Sequence, residues 1–352
     1  MRRRTVLTGL LMGLAALPLL AALPAAAQTA QLTDHEKQLY EAAKQEGELT
    51  WYVAHYSAEN AEAAAAAFTE KFPGVKVNVV RSTAQVAYQR LSQDMRAGVA
   101  QCDVFSSTDI GHYMALKDEK ALMQYKPENA GSILPAFQDI DKDNYYFTTS
   151  VGLVLITYNK DKVKEADAPK KWTDLLDPKW KDQVAVGHPG FSGYVGTWVV
   201  LMKKMYGWDY FKKLEKNKPR IGRSINDTVT MLNAGEATVA AGPSATTLTS
   251  AARGNPLGLI YPEDGTLLMI SPSAIPKNAP HPNAAKLFME FLLSPEHSKV
   301  AVDFYGEPLH SSVKGAPGTK PLDQVKTIRP TPEEIEEGIP EVKEQWRDTF
   351  GV

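Results

Sequence analysis

The chain alternates short apolar runs with amphipathic stretches. An amphipathic segment, Asp34 to Glu46, precedes the aromatic and β-branched run Leu49-Thr50-Trp51-Tyr52-Val53-Ala54, which predicts a first strand. Glu59 to Phe72 is Ala-rich, with Phe68 and Phe72 four apart, and predicts a helix that Pro73-Gly74 stops. Val75 to Val80 alternates as a second strand, Val86 to Ala97 reads as a helix closed by Gly98, and Asp103-Val104-Phe105 as a third strand. This β-α-β-α-β order with short connections predicts a parallel sheet covered by helices.

A helix over Ile110 to Leu122 and a polar stretch through Asn144 lead to the long apolar strand Val151 to Tyr158. A second α/β set follows. Its strands are Val184 to Val186, Pro219 to Gly222, Ala237 to Ala241, Leu257 to Tyr261 and Thr266 to Ile270. Its helices are Trp172 to Leu176, Gly193 to Tyr206, Trp208 to Leu214, Ile225 to Ala234 and Thr246 to Arg253. Ala274 to Lys277 turns back toward the first unit. Helices follow over Asn283 to Leu293 and His297 to Tyr305, then a Pro- and Glu-bearing tail with an amphipathic segment around Trp346 and Phe350.

The N-terminus breaks the pattern. Arg2-Arg3-Arg4, the apolar run Val6 to Leu23 and Ala25-Ala26-Ala27 form the basic, hydrophobic and small-residue parts of an export signal, cleaved after about Ala27. Arg3-Arg4-Thr5-Val6-Leu7 also fits twin-arginine export, against an ordinary Sec signal that is Arg-rich. A retained anchor is the other reading, but Gly9, Gly13, Pro18 and Pro24 interrupt or flank the run. A periplasmic location follows.

Composition narrows the class. In 352 residues, 39 Lys and Arg stand against 41 Asp and Glu, too balanced for the basic face that nucleic acid demands. The single cysteine, Cys102, excludes an internal disulfide framework and a thiolate-rich zinc site, and reads as a small buried apolar residue. The chain carries no Walker loop, no Gly-x-Ser-x-Gly elbow and no His-Glu-x-x-His helix, so no cofactor, metal set or catalytic group is expected. Gly190-Phe191-Ser192-Gly193 is a near miss for the elbow, and a hydrolase using Ser192 with His188 is the enzymatic alternative.

Two stretches carry a resemblance. One is Leu49 to Val77, a strand, loop and helix ended by Phe72-Pro73-Gly74 before a strand. The other is Ala285-x-x-Phe288-x-x-Phe291-Leu292-Leu293-Ser294-Pro295-Glu296 and the apolar helix after it. Their order resembles the periplasmic solute-binding proteins of ABC importers, in the extracellular family 1 branch that includes ferric-ion-binding proteins. The resemblance implies the type II fold: two α/β lobes with a ligand cleft between them, joined by crossing strands. Lobe 1 is then 28–149 plus 272–352 and lobe 2 is 150–271. It also implies two partners, a small-molecule ligand and the transmembrane permease, for a chain expected to be a monomer.

In open α/β sheets ligands sit beyond the carboxyl ends of strands, where helix N-termini favour anions. The residues there are His55, Tyr56 and Ser57; Arg81, Ser82 and Thr83; Ser107 and Thr108; His188, Ser192, Gly193 and Tyr194; Arg223 and Ser224; and Ser244. Hydroxyls with two arginines suit an oxyanion, since Arg offers a bidentate fork. Each serine also fits an ordinary N-cap, each arginine a surface ion pair, each histidine a solvated loop and each tyrosine simple packing. Ferric-binding relatives carry paired tyrosines after an Asn-Ala-Gly-Glu stretch. Asn233 to Glu236 has that stretch, but Ala240 to Thr246 lacks the tyrosines, and the adjacent pair Tyr145-Tyr146 falls in the wrong lobe. The expected ligand is a small organophosphate, phosphonate or carboxylate. Ferric iron and a polyamine- or thiamine-type cation are the alternatives.

Overall fold

The computed structural model describes residues 32–352. The export segment 1–27 lies outside the described residues. The fold is mixed α/β, built on one curled sheet of ten strands.

The first unit opens with α1 (Asp34–Glu46), entered through a Thr33–Glu36 capping box and ended by Gly47 at φ 77°. Strands β1 (Glu48–Val53), β2 (Lys76–Arg81) and β3 (Val104–Ser106) run parallel, with α2 (Ala58–Lys71) and α3 (Ala84–Arg96) as crossovers. Helix α4 (Gly111–Asp118) is shorter than the periodicity predicts. Strand β4 (Tyr146–Asn159) starts five residues before the predicted Val151, because its first residues pair with β9 (Thr266–Ala274). The second parallel set comprises β5 (Val184–Gly187), β6 (Arg220–Gly222) and β7 (Val239–Pro243). Its helices are α5 (Gly193–Tyr206), α6 (Asp209–Lys216), α7 (Asp227–Asn233) and α8 (Ser244–Ala252). Strand β8 (Leu257–Ile260) pairs with β4.

The sheet order β2-β1-β3-β9-β4-β7-β5-β6 places β9 and β4 between the two parallel sets. Strand β9 pairs antiparallel with β3 and β4, and β4 with β7, so among the described residues these two long strands carry the sheet from one parallel set to the other. The β4–β9 register shifts between Thr148 and Ser150. At that irregularity a chain of buried hydroxyls crosses the sheet. Trp51 Nε1 donates to Ser106 Oγ at 2.7 Å, and Ser273 Oγ lies 2.5 Å from both Ser106 Oγ and Thr149 Oγ1.

Each half has its own aromatic core. Trp51, Phe68, Phe72, Phe288 and Phe291 pack in the first, with Phe288 and Phe291 supplied by α9 (Pro282–Leu292). Trp172, Trp198, Tyr210 and Phe211 pack in the second. Helix α10 (Pro295–Asp303) lies on α2 and α9. The two-residue strand β10 (Thr327–Ile328) adds to β9 and was not foreseen, being too short to show a pattern.

Helix α11 (Pro332–Phe350), with Pro340 inside it, packs mainly on α5, with further contact to α4 and α6. Its Ile339, Val342 and Trp346 belong to the second core rather than to the first unit. Its apolar stripe fits both halves by periodicity, so the sequence does not reveal which one it joins. Among the described residues no helix is long and apolar enough to cross a membrane.

Candidate functional site

Strand β1 ends at Val53, and the next turn delivers His55, Tyr56 and Ser57 to the N-terminus of α2. Strand β2 ends on Arg81 itself, and Thr83 is the N-cap of α3. From the other parallel set, Ser192 is the N-cap of α5 and Ser244 is the first residue of α8. These ends converge on a cavity of about 380 Å³. His55, Tyr56, Ser57, Arg81, Thr83, Thr108, Ser192, Tyr194, Ser224 and Ser244 all line it.

The hydroxyls divide by occupation. Ser57 Oγ accepts the Asn60 N–H at 3.2 Å, the ordinary cap. Ser224 Oγ donates to Asp227 Oδ1 at 3.2 Å and accepts the Asn226 N–H at 3.1 Å. Thr83 and Ser192 occupy N-cap positions yet make no side-chain cap bond. Thr83 Oγ1 is buried and without a protein partner among the described residues, as is Asn60 Oδ1 on the same wall. Such groups are normally satisfied.

Arg81 supplies a half-buried charge. Its Nε–H donates to the Tyr56 carbonyl at 3.0 Å, which fixes the guanidinium plane. Burial pulls its pKa down, and Asp227 opposes that through space. No other arginine or lysine on the cavity wall is as buried, since Arg253 stands exposed at the mouth and pairs with Glu59.

The remaining polar groups are neutral donors and acceptors. Burial holds the His55 imidazole at a pKa of about 3, so it is uncharged at neutral pH, and its Nε2–H donates to the Ser107 carbonyl at 3.0 Å. Burial pushes the Tyr194 phenol up to about 12 and the Tyr56 phenol higher still. Both remain protonated. Gly152 gives Tyr194 its place: a Cβ there would sit 2.4 Å from the Tyr194 hydroxyl.

Five expected residues lie elsewhere. Arg223 is exposed, with its guanidinium 4.7 Å from the Phe191 ring centroid, because α7 starts beyond it and turns it outward. His188 Nδ1 accepts the Gly190 N–H at 2.9 Å and its ring packs toward Phe191 and Trp346. Ser107 is fully buried, with Oγ 2.8 Å from His112 Nδ1. Ser82 is half-buried against the Thr83 carbonyl. Gly193 is a packing glycine: a Cβ would meet the Thr108 carbonyl at 2.5 Å.

The sequence reading missed the outer wall. Glu59, Asn60, Asn226, Thr249, Arg253 and Phe304 line it. Thr249 lies inside α8, and Arg253 and Phe304 are the C-caps of α8 and α10, where a rule about strand ends does not look. Glu59, Asn60 and Asn226 lie at helix starts just beyond the residues that rule names. The available signal was the polar face of the Thr246 to Arg253 helix.

Residues 101–326 match the sequence profile of the bacterial extracellular solute-binding proteins. The chain belongs to this family. This solute-binding protein shares its fold with AfuA from Actinobacillus pleuropneumoniae, solved with fructose 6-phosphate bound, at a TM-score of 0.79. That match has 24% identity and covers 87% of this chain and 99% of AfuA. Iron-bound HitA from Pseudomonas aeruginosa aligns with a TM-score of 0.73 and 21% identity, over 87% of this chain and 99% of HitA. In sequence it is 26% identical over 280 residues to a Salmonella typhimurium periplasmic protein provisionally named for 2-aminoethylphosphonate binding, covering 76% of this chain and 77% of that one. The protein is thus an extracellular solute-binding protein, in a family of binding proteins rather than enzymes.

Proposed function

We propose that this protein captures a small anionic organic solute, a phosphate ester, phosphonate or carboxylate, in the cavity between two lobes, and hands it unchanged to a membrane permease. The observation that carries this reading is Arg81. It is a half-buried guanidinium anchored by its Nε, with its terminal nitrogens free of any ion pair among the described residues. Around it stand the helix starts of α2, α3, α5 and α8, whose N–H groups and dipoles favour negative charge. Thr83, Ser192 and Ser244 bring hydroxyls that no cap consumes. The protonated phenol of Tyr194 offers a donor, which suits an anion better than a hard cation, while the Tyr56 hydroxyl donates inward to the Thr149 carbonyl.

Lobe 1 comprises 28–149 and the returning chain from 272, and lobe 2 comprises 150–271 with α11 docked on it. The hinge lies at the β4 irregularity between Thr148 and Ser150, where the crossing strands have no continuous third neighbour. Closure requires differential affinity of the guest for the closed state. The segment 1–27 exports the chain, by the twin-arginine route, and is cleaved near Ala27.

Thermal-shift screening with fructose 6-phosphate, 2-aminoethylphosphonate, dicarboxylates, ferric citrate, thiamine and polyamines tests the reading. At 100 times its Kd a ligand stabilises the fold by about 2.7 kcal/mol. A phosphate ester, phosphonate or carboxylate as the strongest stabiliser, recovered chemically intact, is expected. A cation as the strongest stabiliser, or turnover of the anion, defeats it.

A further inference from the structure

Helix α8 meets the first unit through two side-chain contacts at the cavity mouth. Arg253, its C-cap, places Nη2 2.5 Å from Glu59 Oε1, and Glu59 lies in the first turn of α2. One turn earlier, the Thr249 hydroxyl donates to the Phe304 carbonyl at 3.0 Å, and Phe304 is the C-cap of α10. All four residues line the cavity wall. Helix α8 belongs to the second parallel set, whereas α2 and α10 pack together in the first. The partners are far apart in sequence, Arg253 from Glu59 by 194 positions and Thr249 from Phe304 by 55.

The geometry points to a two-point clasp, Arg253–Glu59 and Thr249–Phe304, that exists only when the cleft is shut and sets how long the guest stays. The inference rests on the hinge-closing reading above. Moving α8 away from α2 breaks both contacts together, because they lie on successive turns of one helix. The ion pair is more than half exposed, with side-chain exposures of 55% and 57%. It therefore trims the closed state modestly and in a salt-dependent way. Opening also leaves Arg253 as an unpaired cation on the lip of the cleft, where it draws anions inward; closure then neutralises it with Glu59. These are positioning residues, acting on the guest through the cleft geometry.

The test has two arms, both on the exported full-length protein. In the first, small-angle scattering of ligand-free protein is recorded at 20 and 500 mM NaCl. Wild type is expected to expand with salt. Glu59→Gln and Arg253→Gln are expected to be expanded at both, and the exchange Glu59→Arg/Arg253→Glu to behave as wild type. In the second, stopped-flow release of fructose 6-phosphate or 2-aminoethylphosphonate is followed. Glu59→Gln and Thr249→Val are expected to speed dissociation about two- to five-fold each, with the exchanged pair restoring the wild-type rate. An exchanged pair that releases as fast as the single variants overturns the clasp, since it shows Glu59 acting by touching the guest. If neither probe binds wild type, those two guests are ruled out, and the scattering arm alone decides the clasp: identical profiles for all four proteins overturn it.

Discussion

The Arg81 Nε–H donates to the carbonyl of Tyr56 at 3.0 Å, so one strand end holds the cation delivered by its neighbour. That bond spends the inner nitrogen and leaves the outer two directed by a fixed plane. Charge-assisted bonds of this kind contribute about 1.5–3 kcal/mol each. Arg81→Ala should therefore weaken binding of the best anionic hit about 10- to 100-fold by calorimetry. Arg223→Ala, on the exposed guanidinium over Phe191, should leave it unchanged. Equal losses in the two variants would place the anion elsewhere.

Hydroxyl variants should separate capping from binding. Ser57→Ala removes a used cap and should cost about 1 kcal/mol of stability by urea denaturation. Thr83→Val and Ser192→Ala remove no cap bond, so their melting temperatures should hold while ligand affinity drops. The reverse pattern would mean that Thr83 and Ser192 serve the helices after all.

Gly152 and Tyr194 should couple. A Cβ at Gly152 meets the phenol oxygen at 2.4 Å, so Gly152→Ala must displace the ring or the strand. It should lower stability by about 1–3 kcal/mol, the range for overpacking. Tyr194→Phe in the same chain should recover part of that loss, measured as a double-mutant cycle. An additive cycle would show that the two residues do not touch in solution.

The pH dependence follows from three shifted groups. His55 and His297 are held by burial at about 3 and about 4, below the usual 6.5. The unfolded chain binds those protons first, so their contribution is present above pH 6.5 and is lost as pH falls toward the folded values. Each should remove about 1.4 kcal/mol of stability per pH unit within its window. Glu307 has the opposite sign. Burial raises it from 4.5 to about 7, so its contribution is present below pH 4.5 and is lost as pH rises through 7. Glu307→Gln should therefore stabilise the protein at pH 8, by about 1–2 kcal/mol, and change little at pH 4. A uniform shift across that range would point to packing instead of titration.

Much of the architecture was legible because local signals agreed. The Phe72-Pro73-Gly74 stop, the Gly98 stop and the apolar Val151 to Tyr158 run mark elements that the structure contains with small shifts at their ends. The rule about strand ends named Arg81, Thr83, Ser192 and Ser244, which share one cavity wall because the residue after a parallel strand has few places to go. It also named Arg223, which is exposed over Phe191, and His188, whose ring packs toward Phe191 and Trp346, and neither lines that cavity. The mouth residues Glu59 and Arg253 were invisible, since each alone reads as an ordinary charge on a helix surface. Only the folded chain sets them 2.5 Å apart.

Trp346 is fully enclosed by the second core, yet it is carried by the last helix of the chain. A ribosome therefore finishes every strand of that half long before it supplies the indole that completes its interior. Until then the nascent second half presents an unfilled apolar socket, and that half is whole only once α11 has been made.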